Sequence, residues 1–578
     1  RQRNRCQHSL NWYSHARLIT FLAGLLISLL ISVWSGWGGL ITAGIFLALF
    51  FWLVARYRGL SLEEQAQLSR IGLYQRGIAR LEDRWQTERK SKWHQPAPAD
   101  HPYAADLDIF GPGSLFELLH LGWTPMGRDC LSRWLLQPAT HTDTASRQRA
   151  VQELTPLQQE REAICIHAYD LHLLEADRLI SWADETPPAF PAWERRLTEL
   201  FVILHAVVLA AWLGGYISGY FELIAAMGLA YWAYRLSPRT TTTLRGLERQ
   251  AERLKRLAGL FGYLEGIPRK AALLQELQAA WKQQKLLASS AITELSAYAQ
   301  RLEWPRNAFF IPLALLLLWW TRLAFRVADW RKHYGPQVRK WLAALGELES
   351  LHSLATFAFE RPAYVYPQLS HSGRTLVAKE LGHPLLPARI CQCNDVTLGE
   401  QPQLLLISGS NMSGKSTLLR TVGINVVLGR MGAQVKAASM ELSELLPGAT
   451  LRIQDSLQSG ISRFYAEILR LKQVLEMAQT TSLLFLLDEI LSGTNSAERR
   501  QGASAILKAL LDRGAIGLAT THDLALTEIA ESWKPRACNM HLADTWQHEK
   551  IHFDYKLKPG IVSHGNALAL MRAVGLQV

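Results

Sequence analysis

The sequence predicts an α/β domain at the C-terminus, built on a parallel sheet, and an all-helical region with apolar hairpins before it. After Pro367, short β-rich runs alternate with helical segments, which is the pattern of α/β folds. Before that point, apolar residues recur at helical spacing, and the most apolar stretches are concentrated in a few blocks. With 578 residues, the chain has room for about three to four units with separate cores.

A glycine-rich loop gives this α/β domain its chemistry. The loop follows the apolar run at residues 404–407 and leads into a helical segment, with the spacing G-x-x-x-x-G-K-S. Glycines let the backbone approach a polyphosphate, the lysine binds its oxygens, and the next hydroxyl binds Mg²⁺. An ordinary turn is the competing interpretation, but the complete pattern between a strand and a helix rarely arises by chance. It predicts binding of ATP or GTP, with Ser416 on Mg²⁺, at Gly409, Ser410, Asn411, Met412, Ser413, Gly414, Lys415, Ser416 and Thr417.

Two acidic residues follow a second apolar run, residues 483–487. Five consecutive apolar residues indicate a buried parallel strand, which makes this a Walker B element. Asp488 is expected to hold Mg²⁺, and Glu489 to polarise the water that attacks the γ-phosphate. A third strand-like run ends near His522, which would lie at the same sheet edge and sense the γ-phosphate. Taken alone, a histidine at such a position is more often an ordinary loop residue.

Charge and cysteine content limit the classes of partner. The formal net charge of +12 favours an anionic partner, either nucleic acid or the inner face of a membrane. Six cysteines in this length do not form a disulfide framework, so no disulfide partner is expected. Cys391 and Cys393 form a C-x-C without a second pair, which argues against a metal site and for a reduced, cytoplasmic ATPase domain.

Two apolar blocks near the N-terminus, residues 18–33 and 40–55, predict a transmembrane hairpin. Arginines precede the first block and follow the second, whereas the turn is uncharged, so both ends should face the cytoplasm. A secretory signal peptide is the competing interpretation, but it leaves the second block unexplained. The predicted location is therefore the inner (cytoplasmic) membrane, multi-pass, with the ATPase and the helical core on the cytoplasmic side.

Two further apolar regions give a weaker indication that they span a membrane. Residues 200–213 and 216–234 have the same flanking charges as the first hairpin, but Glu222 would be costly in lipid, so a buried soluble hairpin stays open as the alternative. Residues 309–321 are short and contain Pro312, which suits a buried or interfacial helix.

Residues 244–303 carry ten Lys or Arg against six Glu, which solvated amphipathic helices explain more readily than a dedicated DNA surface.

We therefore divide the chain into seven regions. Residues 1–60 form the N-terminal transmembrane hairpin, and residues 61–105 an amphipathic linker helix. Residues 106–195 begin a helical core, residues 196–240 form the second hairpin, residues 241–303 the basic helices, and residues 304–370 the return of the core. Residues 371–578 form the phosphate-loop ATPase domain.

Five ordered motifs resemble the MutS family of DNA mismatch-repair ATPases. The loop at 409–417 contains that family's Asn-Met pair at Asn411 and Met412. The segment 455–467 resembles the family's signature, the segment 488–496 its Walker B element and following loop, and the segment 520–524 its histidine switch. Residues 383–385 with 394–395, and residues 553–557 with 565–567, resemble flanking segments of its ATPase domain. Looser matches at 108–151 and 341–358, including Glu347 and Glu349, resemble its helical core, or lever.

The resemblance implies an ABC-type, MutS-like ATPase that works as a homodimer with ATP and Mg²⁺. Ser462 of one subunit would reach the γ-phosphate held by Lys415 of the other, with Glu489 and His522 completing the catalytic set. Closure of the dimer would then move the lever. The family also implies DNA binding, to mismatched or structured DNA, through the helical core.

The chain also departs from the family. It has a membrane hairpin and a linker before the lever, without the Phe-x-Glu wedge, which argues against direct mismatch reading. The predicted second hairpin and the basic helices replace the family's long DNA clamp, so DNA contact would go through phosphates. Three functions stay open: a membrane-anchored, DNA-associated ATPase, a membrane-remodelling or transport-coupled ATPase without DNA, and a nucleotide-gated scaffold with slow hydrolysis.

Overall fold

The structure, a computed structural model, separates into two compact units. It describes residues 2–88, 97–98, 100–248, 250–283, 286–307, 310–371, 373–410, 413–452, 463–491, 494–547 and 550–561. Unit 1 comprises Arg1–Ala79, Gln158–Gly266 and Trp281–Arg339, and unit 2 comprises Arg80–Leu157, Ile267–Ala280 and Lys340–Val578.

Among the described residues up to 360, the chain is helical except for loops and one short pair of strands. In chain order they are α1 (Gln2–Trp34), α2 (Gly36–Leu81), α3 (Trp85–Glu88), α4 (Leu115–Leu119), α5 (Pro125–Leu136), α6 (His141–Leu154), α7 (Gln158–His167), α8 (Ala176–Asp184), α9 (Ala192–Leu213), α10 (Gly219–Leu244), α11 (Ala251–Glu265), α12 (Ala272–Trp281), α13 (Ala288–Glu303), α14 (Ile311–Leu316) and α15 (Trp319–Glu360). The C-terminal part adds α16 (Lys415–Arg430), α17 (Arg463–Thr480), α18 (Ser496–Asp512) and α19 (Leu524–Ser532).

Almost all strands lie in unit 2. The strands are β1 (Lys282–Gln283), β2 (Leu286–Leu287), β3 (Gln368–Leu369), β4 (Leu376–Leu381), β5 (Asn394–Leu398), β6 (Leu404–Ser408), β7 (Ser439–Leu442), β8 (Leu446–Thr450), β9 (Leu483–Leu487), β10 (Ile516–Thr521), β11 (Ala537–Gln547) and β12 (Lys550–Pro559). The larger sheet has the order β12-β11-β6-β10-β9-β8, and the smaller has the order β3-β7-β4-β5.

The first helical hairpin belongs to unit 1. Its helices α1 and α2 are separated only by Ser35, a tighter connection than the six-residue turn that the sequence suggested. Small residues let the two helices approach: a Cβ on Gly24 would lie 2.6 Å from Phe46, and a Cβ on Gly39 2.7 Å from Ser32. The outer faces stay exposed and apolar, and α2 continues without a break past residue 60 to Leu81.

The second hairpin, α9 and α10, also lies in unit 1 and holds polar residues inside it. His205 Nε2 lies 2.8 Å from Glu222 Oε1, which pairs the carboxylate that made this hairpin costly in lipid. Trp232 donates its indole N–H to the Thr198 hydroxyl at 2.9 Å. The third apolar region is divided between α14 and the start of α15, with Leu318 at a positive φ of 46° between them.

By length and composition, three helices are apolar enough to cross a membrane. They are the Ser9–Trp34 part of α1, the helix α2, and the helix α9. Among the described residues, α10 does not meet this criterion, because Glu222 and several hydroxyl-bearing residues lower its mean hydropathy.

The basic segment of unit 1 has a well-packed apolar face. In α11, Leu254, Leu257 and Phe261 are fully buried, and α11 packs along α13. The guanidinium of Arg256 lies over the ring of Tyr169 and donates to the Gln65 side chain at 2.7 Å. These contacts are those of an amphipathic helix with a solvated side, the interpretation that the sequence favoured.

The larger sheet of unit 2 is parallel except at one edge. Strands β8, β9, β10, β6 and β11 pair in parallel, and β12 pairs antiparallel to β11. All residues of β6, β9 and β10 are buried, which confirms the prediction that the run before Asp488 is a buried parallel strand. Parallel pairing brings the carboxyl ends of these strands to one edge of the sheet.

Helix α5 and residues 340–360 of α15 cross closely within unit 2. The Glu349 carboxylate, only 4% exposed, accepts hydrogen bonds from Trp123 N, Thr124 N and the Thr124 hydroxyl at 3.0, 3.2 and 2.6 Å. Thr124 in turn caps the N-terminus of α5, accepting from Gly127 N at 3.1 Å. A buried acid on one helix therefore fixes the start of the other.

Candidate nucleotide site

The glycine-rich loop connects β6 to α16, as the sequence predicted. The loop ends at Gly414, which has φ 93° and precedes the first residue of α16, Lys415. A Cβ on Gly414 would lie 2.9 Å from a ring carbon of Tyr555, so both the backbone conformation and the neighbouring ring require glycine here. Gly409, with φ 151°, is similarly close to Leu542 O. The N-terminus of α16 thus faces the loop, as phosphate binding requires.

Lys415 is 4% exposed, and its ammonium lies within the loop. It donates to Gly409 O at 2.9 Å and to Ser410 O at 2.7 Å. Burial lowers the pKa of Lys415, and the carboxylates of Glu489 and Asp488 oppose that change. The lysine is therefore positioned by backbone carbonyls, with two carboxylates close enough to interact with its charge.

A network of short hydrogen bonds joins the ends of β9 and β10. The Thr520 hydroxyl donates to Asp488 Oδ1 at 2.5 Å and accepts from Glu489 N at 2.9 Å. His522 Nε2 lies 2.6 Å from Glu489 Oε1 and 3.4 Å from Lys415 Nζ. The four side chains that the sequence assigned to this chemistry, Lys415, Asp488, Glu489 and His522, therefore meet at one sheet edge.

The backbone after β9 is held in a left-handed conformation. Glu489 has φ 51° and Leu491 has φ 57°, which is strained for residues with a side chain. Glu467 of α17, 2% exposed, accepts from Leu491 N at 2.6 Å and so helps to fix this turn. The strain and the hydrogen bond together orient the Glu489 carboxylate toward His522.

A pocket of about 280 Å³ lies beside the loop. Its walls come from the smaller sheet, from α16 and from β12. Asn394 fixes one wall, since it donates to Tyr555 O at 3.0 Å and accepts from Leu557 N at 2.7 Å. The pocket is lined by Leu381, His383, Leu386, Ile390, Gln392, Asn394, Gly414, Thr417, Leu418, Thr421, Leu542 and Tyr555. An apolar, aromatic-lined pocket of this size, next to a phosphate loop, suits a planar base.

His383 forms part of this pocket and is uncharged near neutral pH. Burial lowers the pKa of His383 to about 4, with smaller contributions from the charges of Lys436 and Arg420. Its Nδ1 accepts a hydrogen bond from Leu385 N at 3.2 Å. The imidazole therefore contributes an uncharged wall to the pocket.

Several predicted site residues lie outside the described residues. These are Asn411 and Met412 of the loop, the signature residues up to Ser462, residues 492–493 after the Walker B element, and residues 565–567 of the closing segment. Gly409, Ser410, Ser413, Gly414, Lys415, Ser416 and Thr417 form the described part of the loop, with Ser416 as the second residue of α16.

Sequence reasoning assigned no role to three residues that the structure brings into the site. Thr520 joins the two acids, Tyr555 faces both the loop and the pocket, and Glu467 supports the turn after β9. All three lie inside segments that resemble the family, and for Thr520 and Glu467 a polar residue in a buried strand or helix was the available signal. No local pattern around Tyr555 indicated its proximity to Gly414.

The donor set fits Mg²⁺ with a bound nucleotide. Within the described residues, no cluster of three or more His, Cys, Asp or Glu side chains could hold a metal ion alone. One carboxylate, Asp488, and one hydroxyl, Ser416, are the protein ligands expected when phosphates and water supply the other oxygens.

The fold and this arrangement define the C-terminal domain as an α/β ATPase domain. Residues 405–577 match the family model of MutS domain V. The MutS-like character expected from the sequence is therefore confirmed for this domain.

Individual relatives agree with that assignment. The DNA mismatch repair protein MutS of Lysinibacillus sphaericus is 34% identical over 245 residues, which are 41% of this chain and 28% of that protein. The endonuclease MutS2 of Thermus thermophilus is 34% identical over 246 residues, 41% of this chain and 31% of that protein. The chain thus spans less than a third of the length of these relatives.

Proposed function

We propose that this protein binds ATP at the β6–α16 loop and hydrolyses it. The observation that carries the proposal is the meeting of Lys415, Asp488, Glu489 and His522 at the carboxyl edge of one parallel sheet. General phosphoryl-transfer chemistry needs a phosphate-binding cation, a metal-binding acid and a group that orients water. These side chains supply all three.

In this mechanism the loop backbone and Lys415 hold the phosphates, and the pocket with Tyr555 and His383 holds the base. Glu489 orients the attacking water and accepts its proton, while His522 restrains the Glu489 carboxylate. Thr520 holds the Asp488 carboxylate and the backbone N–H of Glu489 in place. Mg²⁺, held by Asp488 and Ser416, would neutralise charge on the phosphates.

The substitution Glu489→Gln tests this mechanism. It keeps the size of the side chain and removes the base, so we expect ATP binding to persist while kcat falls by about 10²–10³-fold. The matched control is Glu528→Gln, an exposed residue of α19, which should leave kcat unchanged. ATPase turnover and fluorescent-ATP binding, measured side by side, distinguish a loss of catalysis from a loss of ATP binding. Unchanged turnover in Glu489→Gln would refute the assignment.

We further propose, from the family resemblance, that two chains form a composite site in which Ser462 acts on the ATP of the partner. Mixing experiments test this proposal. Lys415→Ala and Ser462→Ala chains should each be inactive alone, but an equimolar mixture should recover up to about a quarter of the wild-type activity, because random pairing places one intact site in half of the dimers. Full inactivity of the mixture would contradict the composite site and leave the chemistry of Glu489 unaffected.

We also propose, more specifically, that the protein binds DNA. It is supported by the names of the relatives, a DNA mismatch repair protein and an endonuclease, and by the net charge of +12. Phosphate contacts predict DNA-stimulated turnover that falls steeply between low and physiological salt. The experiment is ATPase turnover of the full chain in detergent with duplex, mismatched and branched DNA at two salt concentrations. Turnover that responds to lipid vesicles and to none of the DNAs would instead favour the membrane-remodelling function.

A further inference from the structure

A large cavity in unit 1 lies far along the chain from the nucleotide site. Its volume is about 1090 Å³, at the upper end of the roughly 300–1,000 Å³ typical of small-molecule sites. It is lined by one face of α10, by α14 and by the first turn of α15. None of these elements contributes to the proposed ATP chemistry.

The lining of the cavity changes in polarity along α10. Toward the N-terminal half of the helix, the lining residues are Ala226, Leu229, Ala230 and Ala233, and α14 adds further apolar side chains. His205 of α9, which pairs with Glu222, is the polar exception on this side. Toward the C-terminal half, the residues that line the cavity at the same helical spacing carry hydroxyl groups: Ser237, Thr240 and Thr241. From Ala226 to Leu244 this face is about 27 Å long, at about 1.5 Å per residue. A site that is apolar at one end and polar at the other matches an amphiphilic ligand.

An unsatisfied polar atom marks the polar half. Thr240 is 7% exposed and lines the cavity, and its hydroxyl has no hydrogen-bond partner among the described residues. A buried hydroxyl without a partner costs free energy, so a ligand that bonds it gains affinity.

Charged residues at the polar end of the cavity restrict which polar group of an amphiphilic ligand could bind there. Arg245, Glu248 and Glu303 line that end, so it carries one guanidinium and two carboxylates. A phosphate complements the guanidinium, and an ammonium group complements the carboxylates. A purely anionic headgroup would meet two like charges, which disfavours it.

The residues around the cavity are of the types that are common where a protein meets a membrane surface. Leu223, Ile224 and Met227 of α10 and Leu313 of α14 are about half exposed, so apolar side chains continue outside the cavity. At the polar end, Arg235 packs over the rings of Trp193 and Trp232, the combination found where a helix leaves the cytoplasmic face of a bilayer. With the second hairpin in a membrane, the polar half would lie at the level of the lipid headgroups.

We propose that this cavity binds one phospholipid with an ammonium-bearing zwitterionic headgroup, of the phosphatidylethanolamine type. An acyl chain lies along the apolar half of α10, the phosphate contacts Arg245 and the Thr240 hydroxyl, and the ammonium contacts Glu248 and Glu303. This inference rests on the placement of the second hairpin at the membrane and is independent of ATP hydrolysis.

Native mass spectrometry of the detergent-purified full chain, without nucleotide, tests the site. Phosphatidylethanolamine, phosphatidylcholine and phosphatidylglycerol with identical acyl chains are titrated separately. We expect a single phosphatidylethanolamine adduct that half-saturates at about tenfold lower lipid concentration than phosphatidylglycerol. Equal retention of all three lipids, or none, would overturn the proposal, because annular lipid shows no such selectivity.

Matched variants test whether the lipid binds in this cavity. Ala230→Phe fills the cavity and should raise the half-saturating concentration at least about tenfold, whereas Met227→Phe, on the outer face of the same helix, should not change it. Thr240→Val should weaken binding, with Thr242→Val as its control, because the Thr242 hydroxyl already bonds Pro238 O. Glu303→Gln should reduce the preference over phosphatidylglycerol. Retention unchanged in both Ala230→Phe and Thr240→Val would refute the site.

Discussion

His383 shows how one buried side chain links stability to pH. Burial lowers its pKa to about 4, below the ordinary value of 6.5, so the unfolded chain binds the proton more readily than the folded one. The stabilising contribution is complete above pH 6.5 and is lost as the pH falls from 6.5 toward 4, by up to about 3 kcal/mol.

We therefore predict that His383→Asn flattens the acid limb of the stability curve between pH 6.5 and 4. Asparagine keeps an acceptor for Leu385 N but does not titrate. Thermal unfolding of the full chain across this pH range is the measurement, with His333→Gln, an exposed histidine, as the control. An unchanged acid limb in His383→Asn would assign the pH dependence to other groups.

Glu349 represents a different kind of buried residue, an acid that is satisfied by hydrogen bonds. Its carboxylate accepts three of them, from residues at the start of α5. Replacement by Gln exchanges charge-assisted bonds for neutral ones and should destabilise unit 2 by about 1–3 kcal/mol. Chemical unfolding measures this loss.

The comparison for Glu349→Gln is Asp329→Asn on the same helix. Asp329 pairs with Arg195 at the surface, with side chains 58% and 34% exposed, so its loss should cost at most about 1 kcal/mol. Equal destabilisation by both substitutions would mean that burial of Glu349 does not strengthen its bonds.

At the scale of elements, the crossing of α5 and α15 depends on glycine. A Cβ on Gly346 would lie 2.6 Å from Met126 O, which is backbone and has little freedom to move. Gly346→Ala should therefore separate the two helices and destabilise their contact by about 1–3 kcal/mol, despite the better helix propensity of alanine.

Hydrogen–deuterium exchange of α5 peptides tests this element directly. Gly346→Ala should speed exchange in α5. Gly72→Ala in α2, where a Cβ would meet nothing within 4 Å, should leave α5 unchanged and slow exchange in α2. Protection of α5 equal to that of the wild type in Gly346→Ala would show that the crossing tolerates a methyl group.

At the scale of the whole molecule, the exposed apolar helices predict a membrane protein. Leu26 of α1 and Ile45 of α2 are 62% and 64% exposed, although both are strongly hydrophobic. We predict that the wild-type chain stays in the membrane pellet after alkaline carbonate extraction. A Leu26→Arg, Ile45→Arg double variant should be released to a greater extent than the wild type, since each arginine near the bilayer centre costs about 2.5–3.5 kcal/mol, although α9 still provides one apolar helix.

Leu173→Arg provides the comparison, because Leu173 is half exposed in unit 1 but lies outside the apolar helices. It should stay in the pellet with the wild type. Release of the wild-type chain by carbonate would contradict the membrane placement while leaving the ATPase proposal intact.

Much of the ATPase site could be predicted because its chemistry is encoded in short motifs. The loop before α16, the acids after β9 and the histidine after β10 each follow an apolar run that forms a buried parallel strand. Parallel strands end at one edge, so residues at the ends of three such runs must be neighbours. The contact between Tyr555 and Gly414 could not be predicted in this way, because it joins residues distant in sequence through the antiparallel edge of the sheet.

By itself, then, the sequence determined the class of the C-terminal domain, the identity of its chemical groups and the location of the apolar helices, since these depend on local pattern and spacing. Only the tertiary structure decided that Thr520 bonds both acidic residues, that Glu349 holds the capping residue of α5, and that α10 and α14 line a cavity whose Thr240 hydroxyl has no partner among the described residues. The physical reason is that each of these features is a contact between side chains remote in sequence, and their geometry depends on packing rather than on periodicity.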